Sequence, residues 1–473
     1  MAGGGVRVLG PALAAALGGL LFGYDTAVIS GAISAIDVNF IDPRGLSETA
    51  RDGLSGFTAS SALVGCIVGA GAAGWVAQAL GRRVGMILAA ILFLVSALGS
   101  AVPEIGLGPI GGMGAAALAP FIAYRILCGV GVGLASMLCP LYIAEVAPPE
   151  ARGRLVSYNQ MAIVIGIVLV YFVNWEIARQ GDDAWINRWG WRFMLGSEAV
   201  PALVFLLLLL GVPETPRWLC MKGRIDEARA VLRRLGEEVQ AERLLAEIRS
   251  SFEVRSGRLF AFGAGVVVIG TVLSMLQQFV GINAVLYYAP VIFKNMGYST
   301  DSAFLQTVIV GAVNMLFTLV AIFTVDRLGR KPLLIAGALV MTIAMATLGA
   351  LFDAGQFGIA ALLAMLAYIA GFSMSWGPVV WVLLAEMFPN AIRNKAMAVA
   401  VAAQWIANLV VSASFKVLDG DRWLNAQFHH AFPYWLYGAA SLLAALFVIR
   451  FIPETKGRGL ETIEQLWSKA PAG

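Results

Sequence analysis

The sequence predicts an all-α membrane protein: twelve transmembrane helices in two six-helix bundles, joined by a cytoplasmic helical linker. Three observations predict it. The residues are 59% hydrophobic and only 13% charged, whereas soluble proteins carry about 25% charged residues. Apolar runs of roughly 20 residues recur along the chain, each long enough to cross about 30 Å of hydrocarbon as a helix. Loop motifs of the first half also return, in the same order, in the second half.

Reading apolar runs between charged or proline-bearing breaks places the spans at 9–33, 54–77, 84–102, 116–142, 155–176, 193–212, 259–293, 304–325, 333–352, 357–384, 396–418 and 432–452. The first run follows Arg7 and starts like a signal peptide, but it continues past Gly18-Gly19 to Ile33 and holds an acid, so it reads as span one. Residues 214–258 differ from the rest. They hold ten basic residues among many acids, with Ala228, Val231, Leu232 and Leu235 at helical spacing. That pattern predicts short amphipathic helices lying on the inner face of the membrane.

Orientation follows from lysine and arginine. Alternate loops carry Arg82-Arg83, Arg152 and Arg154, Arg327, Arg330 and Lys331, then Arg393 and Lys395; the tail adds Lys456, Arg458 and Lys469. The opposite loops are acidic or mixed, with Asp37, Asp42, Glu48, Asp52, Glu104, Asp182, Asp183, Asp419 and Asp421. Both termini and the linker are therefore expected in the cytoplasm.

The repeats define the bundles. Leu80-Gly81-Arg82-Arg83 returns as Leu328-Gly329-Arg330-Lys331, and Pro213-Glu214-Thr215 as Pro453-Glu454-Thr455. Glu145, Pro149 and Arg152 find counterparts in Glu386, Pro389 and Arg393. The expected domains are an N-terminal bundle over 1–213, a linker over 214–258 and a C-terminal bundle over 259–473. Duplicated halves with a site between them at the midplane are a layout of secondary transporters.

These loop signatures, with Pro213-Glu-Thr-Pro-Arg-Trp-Leu219 and Pro453-Glu-Thr-Lys-Gly-Arg458, resemble the sugar porters of the major facilitator superfamily over nearly the whole chain. Gly19-Leu-Leu-Phe-Gly-Tyr-Asp25, Gln277-Gln-Phe-Val-Gly-Ile-Asn283 and Ala403-Gln-Trp-Ile-Ala-Asn408 resemble the bacterial xylose–proton symport branch of that family. The outer loop with Trp423, Phe428 and His429 resembles it too.

Asp25 is the most informative residue. An acid inside an apolar helix is expensive and marks a proton or ion path. Arg125 is the only basic residue well inside a span, and both fall in the outer half of the membrane. Desolvation and a nearby guanidinium pull a carboxyl group's proton affinity in opposite directions, so exchange of one partner switches its state. The competing reading is a permanent structural ion pair. The resemblance implies proton coupling, because passive relatives often have a neutral residue in place of this acid.

A sugar needs groups that both donate and accept hydrogen bonds, without buried charge, and aromatic planes against its ring. Gln160, Gln277, Gln278, Asn283, Asn314 and Gln404 stand in otherwise apolar spans, with Phe22, Tyr287, Trp381 and Trp405. Gln404 and Asn408 share a helix face, as do Asn283 and Tyr287. Gln277 and Asn283 would diverge on an ideal helix, but Gly281 and Pro290 predict that span seven is broken. Gly377-Pro378 predicts a kink in span ten. The resemblance implies that these amides and tryptophans bind sugar; interhelical packing is the alternative for any single amide.

Arg82, Glu145, Arg152, Glu214, Arg330, Glu386 and Arg393 sit at span ends and are expected to form a cytoplasmic gate that bridges the halves. The alternative is that they only fix topology. Two departures from the family pattern stand out. Gln78-Ala79 replaces an acid followed by arginine, which weakens the first charge network. Ile167 replaces a further glutamine, which leaves xylose or glucose open as the cargo.

No G-x-x-x-x-G-K-[ST] or H-E-x-x-H motif occurs, and the two histidines are adjacent, at 429 and 430. Gly129, Gly131 and Gly133 lie within a span, where close helix packing explains them better than a nucleotide fingerprint. Cys66, Cys128 and Cys139 sit in or beside apolar runs and Cys220 in a polar loop, with no disulfide framework or zinc spacing. The expectation is thus a monomeric inner-membrane carrier, not an enzyme, without cofactor, metal or nucleic acid. Its partners are a monosaccharide, a proton and the lipid bilayer. Passive sugar facilitation is the runner-up, and a membrane sugar sensor the remaining reading.

Overall fold

Hydrocarbon offers no hydrogen bonds to backbone amides, so apolar runs of this length fold as helices that satisfy their own N–H and C=O groups. The computed structural model describes residues 3–147, 152–235, 238–251, 259–389 and 392–456. Among them, twelve helical segments are long and apolar enough to cross a membrane. Spans one to six are Val8–Arg44, Glu48–Ala79, Arg82–Ala101, Gly114–Val146, Tyr158–Ala178 and Asp183–Gly211. Spans seven to twelve are Ala264–Asn295, Thr300–Val325, Arg330–Asp353, Ile359–Leu384, Lys395–Gly420 and Phe432–Phe451. No β-strand occurs among the described residues.

Glycine sets the closest helix approach. A Cβ at Gly129 on span four would run into the carbonyl of Ala62 on span two, and one at Gly133 into Cys66 and Ala70. The glycine triplet is therefore a packing surface.

Helices Pro216–Met221, Ile225–Leu235 and Glu238–Ser251 lie between spans six and seven. Their apolar faces were expected against the membrane surface; instead Trp218, Leu219, Cys220, Ala228, Leu232, Ala241 and Leu245 form a small core of their own. Arg224 pairs with Glu227, and Arg229 with Asp226 and Glu242, on the outside of that core. The indole Nε1 of Trp218 donates to the Gln78 carbonyl at 3.1 Å, tying the linker to the end of span two.

The halves meet mainly where spans two and eleven, and five and eight, run side by side. Their described polar contacts all lie towards the end that carries the acidic loops. Lys416 Nζ reaches Asp37 Oδ2 at 3.2 Å, and Arg422 pairs with Glu48. Thr300 Oγ1 donates to Asp183 Oδ1 at 2.8 Å, Trp175 Nε1 to Asp301 Oδ1 at 3.1 Å, and Tyr171 Oη to the Leu286 carbonyl at 2.8 Å. The protein is closed at its acidic end.

Candidate functional site

Span seven cannot run straight. Helix Ala264–Phe279 stops before Gly281, which takes φ +92°, and the chain resumes as Ile282–Asn295. Glycine adopts that left-handed backbone at no steric cost, and the Tyr437 ring fills the space a Cβ would need. Span ten breaks for another reason. Pro378 has no N–H, and its ring collides with the carbonyl four residues earlier. Helix Ile359–Met374 therefore ends at that residue, and Trp376–Met387 starts afresh beyond Ser375. The kink expected at Gly377-Pro378 thus falls slightly earlier, at Ser375.

The two breaks bring four amides into one chain. Gln277 Nε2 donates to the carbonyls of Trp376 at 2.7 Å and Gly377 at 3.2 Å. Its Oε1 accepts from Gln404 Nε2 at 2.8 Å and from Gln278 Nε2 at 3.4 Å. Gln278 Oε1 in turn accepts from Asn283 Nδ2 at 2.6 Å. Among the described residues, Gln404 Oε1 and Trp405 Nε1 are buried with no hydrogen-bond partner. A sugar hydroxyl, which donates and accepts, suits both.

Other expected residues stand apart from this chain. Asn314 Oδ1 accepts from Ser373 Oγ at 2.7 Å, between spans eight and ten. Gln160 and Trp381 are half-buried on spans five and ten, and Tyr287 is buried on span seven. Phe22 crosses the boundary between the halves: its ring lies 5.6 Å from that of Trp405, at 51°.

Asp25 follows Phe22 by one helical turn. It and Arg125 are each 2% exposed, and Arg125 Nη1 donates directly to Asp25 Oδ1. Spans one and four therefore hold the pair that the sequence anticipated. A third member was missed. Glu198, on span six, is 1% exposed and lies against Cys128, which also touches Asp25. The helix is interrupted there, between Trp191–Gly196 and Ala199–Gly211, because Pro201 removes the bond to Ser197. The rule that singled out Asp25, an acid within an apolar run, applies equally to Glu198 and would have found it.

At the basic end the halves copy each other. Gly81 and Gly329 take φ +98° and +96°. Glu214 accepts from the backbone N–H groups of Arg82 at 3.1 Å and Arg83 at 3.0 Å. Glu454 accepts likewise from Arg330 at 3.1 Å and Lys331 at 3.0 Å. Each carboxyl group caps the start of a span, where unpaired N–H groups favour negative charge. Burial holds the Glu214 carboxyl above its usual pKa; burial also acts on Glu454, but four backbone donors outweigh it and hold that carboxyl below. Arg82 Nη2 pairs with Glu145 Oε1, and Arg330 Nη2 with Glu386 Oε1, each at 2.8 Å.

These charges were expected to bridge the halves. In this conformation every described pair stays within its own half, because the halves touch at the opposite end. The Gln78-Ala79 departure leaves the Arg82–Glu145 pair intact. Arg393 Nε donates to the Phe388 carbonyl at 3.2 Å, and burial lowers its guanidinium pKa. The side chain of Arg152, together with Pro149, Arg458 and Lys469, lies outside the described residues.

Residues 12–467 match the family model described as "Sugar (and other) transporter". The chain belongs to the sugar transporter family. It is 54% identical over 464 residues to the D-xylose-proton symporter of Escherichia coli K12, covering 96% of this chain and 94% of that one. It is 47% identical over 460 residues to the glucose facilitated diffusion protein of Zymomonas mobilis, covering 96% of each. A solved inward-open conformation of the E. coli xylose transporter superposes with a TM-score of 0.88 at 50% identity, covering 97% of this chain and 100% of that one. That likeness agrees with a family member closed at its acidic end.

The acidic-end contacts give two expectations. Replacing Lys416 by methionine leaves the Asp37 carboxyl with the Ser55 hydroxyl at 2.6 Å but without its cation, and losing a partner from a mostly buried pair disfavours the closed form. Spin labels at Asp182 and Tyr298, across the cleft between the halves, should report a population with longer separation, raised on the order of tenfold. An unchanged distance distribution would remove this pair from gating. His430 Nδ1 meets Asp419 Oδ1 at 3.3 Å, and that hydrogen bond raises the imidazole pKa above 6.5 against partial burial. A raised folded value means that the contact stabilises fully below the ordinary histidine pKa and is lost as pH rises through the folded one. Melting curves should therefore separate wild type from His430→Gln in acid and converge in alkali.

Proposed function

We propose that this chain is a proton-coupled symporter that imports a monosaccharide, D-xylose or a close relative such as D-glucose, by alternating access. One observation carries the reading: Asp25, buried in a transmembrane helix, is committed to Arg125 one helical turn from the Phe22–Trp405 contact at the amide site.

The basic loops face the cytoplasm, so both termini and the linker lie inside and the acidic end faces out, in an inner membrane. With the outside open, a proton neutralises Asp25 and releases Arg125, while sugar hydroxyls engage Gln277, Gln278, Asn283 and Gln404. Gln160, Asn314, Tyr287 and Trp381 complete the walls, and Gly377 presents its carbonyl. The halves 1–213 and 259–473 then rock about the site, while the linker over 214–258 stays on the cytoplasmic side. Asp25 gives up its proton and pairs again with Arg125, the state seen here.

Arg82, Glu145, Arg152, Glu214, Arg330, Glu386 and Arg393 form the cytoplasmic gate: they regroup across the halves when the inside closes. Contacts that must break in every cycle suit pairs of modest strength; Arg82–Glu145 is buried in its present pairing, while Glu386 opposite Arg330 is partly exposed. One chain contains the complete site, so a monomer suffices.

Proteoliposome uptake of labelled D-xylose and D-glucose, with and without an imposed proton gradient, tests the reading. Accumulation of at least one sugar, dependent on the gradient, is the expected result. Equilibration without accumulation would instead favour facilitated diffusion, the second reading, which the likeness to the Zymomonas mobilis protein supports.

A further inference from the structure

We propose that Cys128 relays the coupling proton between Glu198 and Asp25, a role that rests on the symport reading above. The thiol is fully buried on span four, one turn beyond Arg125. Its Sγ lies 3.1 Å from Asp25 Oδ1 on span one and 3.6 Å from Glu198 Oε1 on span six. The three ligand-type atoms all fall within 4.8 Å of one another.

Charge counting gives the thiol its task. Two carboxyl groups face one guanidinium, and among the described residues Glu198 makes no ion pair of its own. A second bare carboxylate in this dry setting is costly, so the pair holds one negative charge and one proton. Cys66 on span two, Ser96 on span three, Tyr24 on span one and Tyr287 on span seven lie around the cluster. The Tyr24 hydroxyl is engaged with Ser197 Oγ at 2.7 Å. The described hydrogen bonds to the two carboxyl groups come from Arg125 and Cys128. A metal ion is the other occupant that these ligand types suggest, but Arg125 already supplies the cation.

A thiol is a weak donor and a weak acceptor, which is what a relay needs. The Glu198 O–H bond breaks as its proton joins Sγ, while the S–H proton leaves for Asp25 Oδ1. The sulfur ends neutral, Glu198 becomes a carboxylate and Asp25 a neutral acid. Arg125, within electrostatic reach of both acids, follows the negative charge from span one to span six. The reverse transfer restores the pairing seen here.

Cys128→Ala, Cys128→Ser and Asp25→Asn proteins in proteoliposomes test the relay. For each, gradient-driven accumulation of labelled D-xylose and D-glucose is divided by the same protein's sugar-for-sugar exchange rate, which corrects for folding and sugar binding. The ratio should fall about tenfold for Cys128→Ala, less than the hundredfold or more that a positioned proton-transfer group contributes when proton transfer alone sets the rate. Cys128→Ser, whose hydroxyl donates and accepts, should recover most of it. A wild-type ratio in Cys128→Ala, beside a dead Asp25→Asn, overturns the relay alone. Equal loss in Cys128→Ala and Cys128→Ser also overturns it, in favour of a packing role. Normal accumulation by Asp25→Asn overturns the symport reading and the relay with it.

Discussion

An Asp25→Asn protein exchanges sugar across the membrane but does not concentrate it. Asparagine keeps the volume of the side chain and an oxygen for Arg125 Nη1, so spans one and four stay packed. It has no titratable proton. Stripping the charge from one member of a buried pair costs about 3–5 kcal/mol when nothing replaces it, but here Glu198 stands ready to serve the guanidinium. Folding should therefore survive while energetic coupling is lost. The measurement is the steady-state ratio of internal to external sugar under an imposed proton gradient. It should fall to unity at every pH, while counterflow persists. A variant that still accumulates sugar places the proton elsewhere.

Gln277→Ala should cause the largest loss of sugar affinity of any single amide substitution. Gln277 is the hub of the amide chain: it donates to the two carbonyls at the break in span ten and accepts from Gln278 and from Gln404 on span eleven. Truncation removes a group from the proposed sugar site and frees Gln404 to turn away. At about 1 kcal/mol per hydrogen bond lost, two to three losses weaken binding roughly thirty- to a hundredfold. Tryptophan fluorescence from Trp381 and Trp405, titrated with D-xylose and D-glucose, reads this directly. Asn314→Ala is the internal control. Its amide bonds Ser373 away from the chain, so its effect should stay below about tenfold. Wild-type affinity in Gln277→Ala would move the sugar away from the amide cluster.

Several features were legible in the sequence because they depend on local periodicity or on rules of solvation. Hydropathy alone gave the number of helices, since only self-satisfied helices cross lipid. The break in span seven was legible at Gly281, whose backbone no other residue adopts cheaply. Asp25 stood out because its cost in hydrocarbon does not depend on its neighbours. Glu198 was just as visible by that reasoning; its neighbours Leu195 and Val204 hid it within a run scored for length.

Other features depended on distances that no spacing encodes. The sequence by itself determined the helices, the acid and the set of amides, because each follows from the solvent around one residue, and the duplicated halves, because the loop motifs repeat in order. Tertiary structure alone decided that Asp25 meets Arg125 rather than lipid, that Cys128 stands between two acids, and that four amides from three helical segments share one chain of hydrogen bonds. It also decided which end is shut. The charges at the basic end pair equally well within or across the halves by sequence, and only the tilt of one bundle against the other selects between the two.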